Sequence, residues 1–267
     1  MVTARVSRIQ IFPIKALDAT TLEQARILSS GALEFDRTWA MFDANGKPIN
    51  GKRHAAVHRL RSVIDLANRK LSICAGRDPS FPDPAFSFDG DREKIEQWLG
   101  EYFGFQIELR ENPEAGFPED TVSPGPTIIS VATLQEIARW FSLPFEQVRA
   151  RFRTNIEIDG VPAFWEDRLF GAADKAVRFA IGDALFEGIN PCQRCVVPTR
   201  DPLLGTEDRT FSQRFTELRR QNLPPWSERS RFNHFYRVAV NTRAAGDQGG
   251  KIVRNGDPIR IFENSHP

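Results

Sequence analysis

Cysteine is scarce in this chain, with three in 267 residues, and so are methionine and tyrosine with two each and histidine with four. Three cysteines cannot build a disulfide framework, and with no apolar leader apparent the protein is expected to be reduced and cytoplasmic. A structural zinc site needs a second ligand pair, and Cys74, His54, His58, His234 and His266 offer none at a matching spacing. An excess of charge of one sign is also lacking. The 36 basic and 35 acidic residues leave a formal charge of +1, which argues against nucleic acid or a polybasic membrane surface as partner. Long apolar runs are missing, and Ile9-Gln-Ile-Phe12 is far too short for a signal core or a membrane span. No repeat of solenoid period and no low-complexity tract is evident.

What is present is enough apolar and aromatic material, 40% and 10%, to fill a sizeable core. The pattern is mainly β with some α, an α+β chain of β-barrel type. Asn45-Gly46, between Thr38–Phe42 and Pro48-Ile49, predicts a tight hairpin of type I′. A second hairpin is expected where Val63–Leu66 and Leu71–Cys74 flank residues 67–70, which leaves Arg61 on a solvated strand face. Val177–Phe186 and Lys251–Phe262 share a strand, Gly-Asp turn, strand grammar. Helical spacing marks Asp91 to Phe103, with Asp91 as N-cap. Thr133-Leu-Gln-Glu136 reads as a capping box, and a partner helix is expected from Pro144 to about Ala150. The polar, Pro- and Gly-containing stretch Glu111–Asp120 divides the chain into 1–115 and 116–267.

The segment richest in chemistry is Asn190-Pro-Cys-Gln-Arg-Cys-Val-Val-Pro-Thr199, followed by Arg200-Asp-Pro-Leu-Leu-Gly205. Arg194 stands between Cys192 and Cys195, and a cationic neighbour favours the thiolate, which attacks electrophiles and ligates soft metals. Thioredoxin-like exchange wants a helix after the first cysteine, whereas Val196-Val-Pro198 predicts extended chain. On composition alone, two small thiols in a turn stay open. Lys15, Arg37, Arg153 and Arg194 are, taken singly, four of 36 basic residues of a kind usually solvated. Three arginines and a lysine converging would instead make an anion pocket. Tyr236 alone reads as a core aromatic, and Phe164, Trp165 and Trp226 read as packing or as a substrate mouth.

Cys192, Arg194 and Cys195 with Asp201-Pro-Leu-Leu-Gly205 resemble the signature of the MOSC family, the molybdenum-cofactor sulfurase C-terminal domain proteins. Val6–Lys15 is similar to the opening of the β-barrel domain that precedes MOSC in the mitochondrial amidoxime-reducing component and its bacterial relatives. By that resemblance the chain is an N-terminal β-barrel domain, 1–115, followed by a MOSC β-barrel domain with a few flanking helices, 116–267. It implies that Cys195 ligates molybdenum and is catalytic. It also implies that Lys15, Arg37 (of Phe35-Asp-Arg-Thr-Trp39), Arg153 and Asn155 (of Phe152-Arg-Thr-Asn155), Ser123, Arg194 and Tyr236 hold a molybdopterin-type cofactor. One departure is visible: a serine usually follows the lysine, and this chain reads Lys15-Ala-Leu-Asp-Ala19, so a hydroxyl is missing. The reaction implied is reduction of N-hydroxylated compounds, and with no four-cysteine iron–sulfur pattern the electrons are expected from a separate protein. Two other roles remain: a carrier or transferase bearing a persulfide on Cys195, and a non-catalytic cofactor-binding protein.

Overall fold

The computed structural model describes residues 3–76 and 85–262; His266 lies outside them. The first half runs through β1 (Arg5–Ile11), β2 (Thr20–Leu22), β3 (Gln24–Arg26), β4 (Trp39–Asp43), β5 (Leu60–Asp65), β6 (Lys70–Ala75), β7 (Phe86–Ser87), α1 (Arg92–Phe103) and β8 (Ile107–Glu111). The second follows with β9 (Ile128–Ser130), α2 (Val131–Phe141), α3 (Phe145–Phe152), β10 (Ile156–Asp159), β11 (Val177–Ile181), β12 (Ala184–Gln193), α4 (Phe211–Gln221), β13 (Arg237–Ala244), β14 (Ile252–Arg254) and β15 (Ile259–Ile261). The fold is α+β and strand-rich, as the pattern indicates.

Eight strands form the large sheet in the order β15-β11-β12-β13-β9-β10-β1-β2. Among these eight strands β9 and β10 are the one parallel pair; their crossover carries α2 and α3, the kind of connection that parallel neighbours require. β1 explains why the first residues belong here. Its register against β10 slips between Val6 and Arg8, and this bulge places Val6, Ile9 and Ile11 all inward, a spacing that strict alternation would split between two faces. Along its first half β1 also meets the turn before β15, where Ile259 donates to the Ala4 carbonyl (2.8 Å) and Val6 to that of Asp257 (2.9 Å). The sheet therefore curls until its ends meet, which removes an exposed edge.

The chain buries three apolar clusters. One fills the large sheet and joins Val6, Ile9, Ile11, Ile27 and Leu33 to Ile128, Ile156, Phe179, Phe186 and Val240. The second is local to the first half, where β4–β8 and β5–β6–β7 form small sheets over α1 and Trp39 stacks on Phe88 at 4.0 Å. A third packs α2, α3 and α4 on the outside of the large sheet. Val6, Ile9, Ile11, Ala25, Ile27 and Leu33 thus pack with the second half, while Ile14 and Leu17 join the first-half cluster, so hydrogen bonds and core contacts cross the 115/116 division.

Local details depart from the sequence reading in instructive ways. At Asn45-Gly46 only Gly46 has positive φ (70°), and Asp43 Oδ1 accepts from the amides of Asn45 and Lys47, so the turn is not type I′. Asp91 precedes α1, but its carboxylate bonds Ser87 N and Lys94 instead of capping the helix. Helix α2 starts earlier than the Thr133 box predicts: Ser130 is the N-cap and accepts from Thr133 N at 3.0 Å. β11 and β12 form the expected hairpin, but β14 pairs with β3 and β15 with β11, so the second Gly-Asp turn is a corner between sheets. Val197–Thr199 is a short 3-10 turn rather than extended chain.

Because β1 supplies both a central strand and core side chains, residues 116–267 expressed alone should show no cooperative thermal unfolding transition. Co-expression with 1–115 should restore a soluble complex, as read by co-purification and circular dichroism; a sharp melt of the lone C-terminal piece would contradict this arrangement.

Candidate functional site: a cationic cleft around two cysteines

A cleft of about 1270 Å³ opens where the two halves meet. Of the residues the sequence singled out, Lys15, Arg37, Ser123, Arg153, Asn155, Arg194 and Cys195 all line it; Tyr236 does not. Its ring packs edge-on against Phe215 at 5.4 Å, and its buried hydroxyl has no partner among the described residues. Burial raises its pKa, so it stays neutral.

The cysteines sit at the end of β12 and just beyond it. Cys192 and Cys195 are both free and half-buried. The intervening arginine points at the first of them: Arg194 Nη1 lies 3.1 Å from Cys192 Sγ and its other amino group donates to the Phe152 carbonyl. Cys195 Sγ accepts instead from the Val197 amide at 3.4 Å, a contact made possible by the 3-10 turn. The Asp-Pro-Leu-Leu-Gly stretch has a docking role. Asp201 Oδ1 accepts from Leu203 N and Leu204 N, and Gly205 at φ 71° lets the loop approach the Ala55 carbonyl, which a Cβ would meet at 2.7 Å. Arg151 on α3 clamps the same segment through the carbonyls of Pro198 (2.8 Å) and Arg200 (2.6 Å).

The opposing wall comes from the first half. Lys15 donates to the Phe117 carbonyl (3.0 Å) and pairs with Glu119 (3.1 Å), which also binds Lys52 at 2.6 Å. Burial would push the Glu119 carboxyl up, yet the Lys15 and Lys52 ammoniums overcome it and hold it down at about 2. Arg37 pairs with Asp36, and Arg37 and Arg153 both stand over the Phe12 ring, at 5.3 and 4.1 Å. Arg153 Nη2 donates to the Leu17 carbonyl at 2.7 Å; burial, and then the Arg37 charge, bring its pKa down to about 10. Ala16, Arg37 and Arg153 are three of the eight non-glycine residues at positive φ among the described residues, and all three line the cleft. Such backbone costs energy and persists where surrounding structure holds it, a pattern concentrated at functional sites.

Three expectations change. Asn155 lines the cleft, but its amide is committed to the fold, accepting from Thr127 N and Oγ1 (3.1 Å each) and donating to the Gln10 carbonyl (3.2 Å). Arg61 is not on a solvated face: it lines the cleft, pairs with Asp18 at 3.0 Å and donates to Pro202 O at 3.1 Å. The stretch Glu111–Asp120 is no loose linker, since Phe117 N donates to Arg37 O and Ala115, Pro118, Glu119 and Asp120 form one wall. Phe164 and Trp226 stay out of the cleft, Trp226 Nε1 donating to the Phe164 carbonyl at 3.0 Å.

A cysteine pair and a D-P-x-x-G docking loop thus share one cleft with a lysine and arginines, and two sequence families match the chain. The MOSC N-terminal beta barrel domain matches residues 3–146 and the MOSC domain residues 127–260. The chain belongs to the MOSC family. Similar curated proteins include the molybdenum cofactor sulfurases of Homo sapiens, 24% identical over 80% of this chain and 28% of that protein, and of Drosophila melanogaster, 27% identical over 72% and 27%. This MOSC chain therefore spans under a third of the length of those relatives. The solved YuaD protein of Bacillus subtilis aligns over 98% of this chain and 97% of its own at 12% identity, with a TM-score of 0.38. Among the described residues no helix is long and apolar enough to cross a membrane, and no group of three or more His, Cys, Asp and Glu could hold a metal by itself.

The residues present fit an anionic, thiol-bound group. The Ser123 hydroxyl and Arg194 Nε are buried at the cleft without a hydrogen-bond partner among the described residues, which costs energy that a polar ligand would recover. Lys52 and Glu119 were not singled out from sequence, because neither belongs to a motif, and His58 was weighed only as a zinc ligand. Lys52 also lies within electrostatic reach of both cysteines.

His58 reports on this field. Burial, then the charges of Arg153 and Arg200, lower its pKa from 6.5 to about 4. The unfolded chain binds the proton first, so His58 contributes stability above pH 6.5 that is lost as pH falls through about 4. An imidazole titration followed by NMR should place His58 near 4, and Arg153→Gln should move it upward. A midpoint near 6.5 in the wild type would show that the cations do not converge.

Proposed function

We propose that this MOSC protein binds a molybdopterin-type cofactor in the cleft and, with electrons from a separate protein, reduces small N-hydroxylated compounds. The observation that carries this reading is a half-buried free thiol, Cys195, in one cleft with Arg153, Arg194 and the unpartnered Ser123 hydroxyl. A bound molybdenum centre would supply the two-electron chemistry, cleaving an N–O bond with two protons and releasing water. The chain's own part is to hold and tune. Cys195 offers the soft thiolate ligand, and Arg153 and Arg37 present planar forks suited to phosphate and pterin. Lys15 and Lys52 add point charges, partly neutralised by Glu119. His58, with its pKa near 4, stays uncharged at neutral pH and adds no repulsion between those cations.

A second reading has its own support: the similar proteins are named molybdenum cofactor sulfurases, and sulfur transfer needs a nucleophilic cysteine that can carry a persulfide. The two readings separate by content. Protein made in a cofactor-competent host should contain molybdenum, whereas a carrier would release sulfur to cyanide and hold no metal.

Cys195→Ala should lose molybdenum and amidoxime reduction while keeping its melting temperature, and Cys192→Ala should retain most of both. Full activity in Cys195→Ala would remove the thiolate from the chemistry. Arg153→Gln is expected to weaken cofactor retention by about 30- to 150-fold, the worth of a charged hydrogen bond. Arg178, an exposed strand residue paired with Glu187, serves as the control that should lose nothing.

A further inference from the structure

Positive charge in the cleft is compensated unevenly. On the wall from the first half, Arg37 has Asp36, Arg61 has Asp18, and Lys15 and Lys52 share Glu119. Arg231 and Arg237, from β13 and the segment before it, line the cleft too, and their hydrogen-bond partners are neutral. Arg231 Nη1 donates to the carbonyls of Gly171 (3.2 Å) and Ala172 (3.0 Å). Arg237 donates to Pro191 O (3.1 Å), Asn233 Oδ1 (2.9 Å) and Gln193 Oε1 (3.4 Å). Among the described residues neither forms an ion pair, and Arg237 Nε is buried with no acceptor. Glu228, the acid nearest in sequence, is spent on the backbone and hydroxyl of Ser230. Burial, and then the Arg231 charge, lower the Arg237 pKa against a smaller opposing pull from Cys192, while the Arg231 charge also acts on Glu228.

The arrangement is also built in place. Arg237 pairs with Gln193 across β12 and β13, and its bonds to residues 191 and 193 bracket Cys192. Asn190, Asn233 and Asn241 line the same region and add side-chain amides. A part-exposed guanidinium with no ion pair among the described residues recognises an oxyanion, and the planar fork favours bidentate contact.

We propose that Arg237, assisted by Arg231, is the subsite for an anionic group, carboxylate or phosphate, on the small molecule that reacts at this cleft. It comes from β13 and the segment before it, not from the segments that carry Lys15, Arg37 and Arg153, so the substrate's charge and the cofactor are assigned to different residues. The reacting end of such a substrate then lies beside the cysteine segment. This assignment rests on the reading of the cleft as a reaction site.

The probes are benzamidoxime and its para-carboxylate and para-phosphonate derivatives, titrated into the full-length protein by calorimetry, with turnover measured separately on molybdenum-loaded protein. The wild type should bind an anionic derivative at least about 10-fold tighter than the neutral compound, the low end for a charge-assisted contact. Arg237→Gln should bring that ratio to about one, Arg237→Lys should keep part of it, and Arg178→Gln, at an exposed strand residue outside the cleft, should leave it standing. Melting temperatures verify that each variant folds, and Arg231→Gln, which should lower the ratio, gives a second measure if Arg237→Gln does not fold. Equal binding of neutral and anionic probes by the wild type, or a preference that survives both Arg237→Gln and Arg231→Gln, overturns the subsite. Anion preference without turnover would instead count against the reductase reading and leave the subsite intact. The carboxylate-to-phosphonate ratio identifies which oxyanion fits.

Discussion

The pairing of β1 with β10 is the constraint on which the rest of the molecule depends. It sets the start of the chain into the large sheet beside residues that follow α3, and Gln10 and Asn155 reinforce it: Gln10 N donates to Asn155 O at 2.8 Å, while Asn155 Nδ2 returns to Gln10 O. From that anchor the chain leaves β1 directly into the segment that carries Phe12, Lys15 and Ala16. It enters β10 directly from the segment that carries Arg153. Two stretches separated by some 140 residues in sequence therefore reach the same cleft within a few residues of one hydrogen-bonded register, and the Arg153 bond to Leu17 O closes the link. Positioning by backbone is stiff, which is what a site holding a multiply charged ligand needs.

Electrostatics explains why this cleft is expensive to build. Cations gathered in a part-buried space repel and lose hydration, and the structure offsets this with Asp18, Asp36 and Glu119 on one wall. It also keeps His58 neutral. The offset is incomplete at Arg153, Arg194, Arg231 and Arg237, whose partners are carbonyls, amides or a thiol. Charge left over in this way is a functional asset when an anion arrives and only a cost otherwise. Left-handed backbone at Ala16, Arg37 and Arg153 adds to that cost in the same place.

Much of the local structure was legible beforehand. Hydrophobic alternation marked the β5–β6 and β11–β12 hairpins, and the 3.6-residue spacing marked α1 and α2, because those signals depend on neighbours in sequence. Legibility ended where the partner was distant. Ser130 rather than Thr133 caps α2 because its position follows from the end of β9, and β14 and β15 separate because each finds a different strand across the molecule. Arg61 reads as an outward strand residue from alternation alone, yet Asp18 and the Pro202 carbonyl draw it into the cleft.

By itself the sequence determined the strand-rich class, the family signature from Cys192 to Gly205, and the set of residues that could meet a cofactor, since residue type and spacing are local properties. Only the tertiary structure decided which of them converge. It brought Lys15, Arg37, Arg153 and Cys195 to one cleft, turned Arg194 toward Cys192, moved Tyr236 behind the wall and committed Asn155 to holding β1. It also added Lys52, His58, Arg231 and Arg237, which no motif marks. The physical reason is that charge acts through space over several ångströms, and which charges share that space depends on sheet closure and strand register, not on order along the chain.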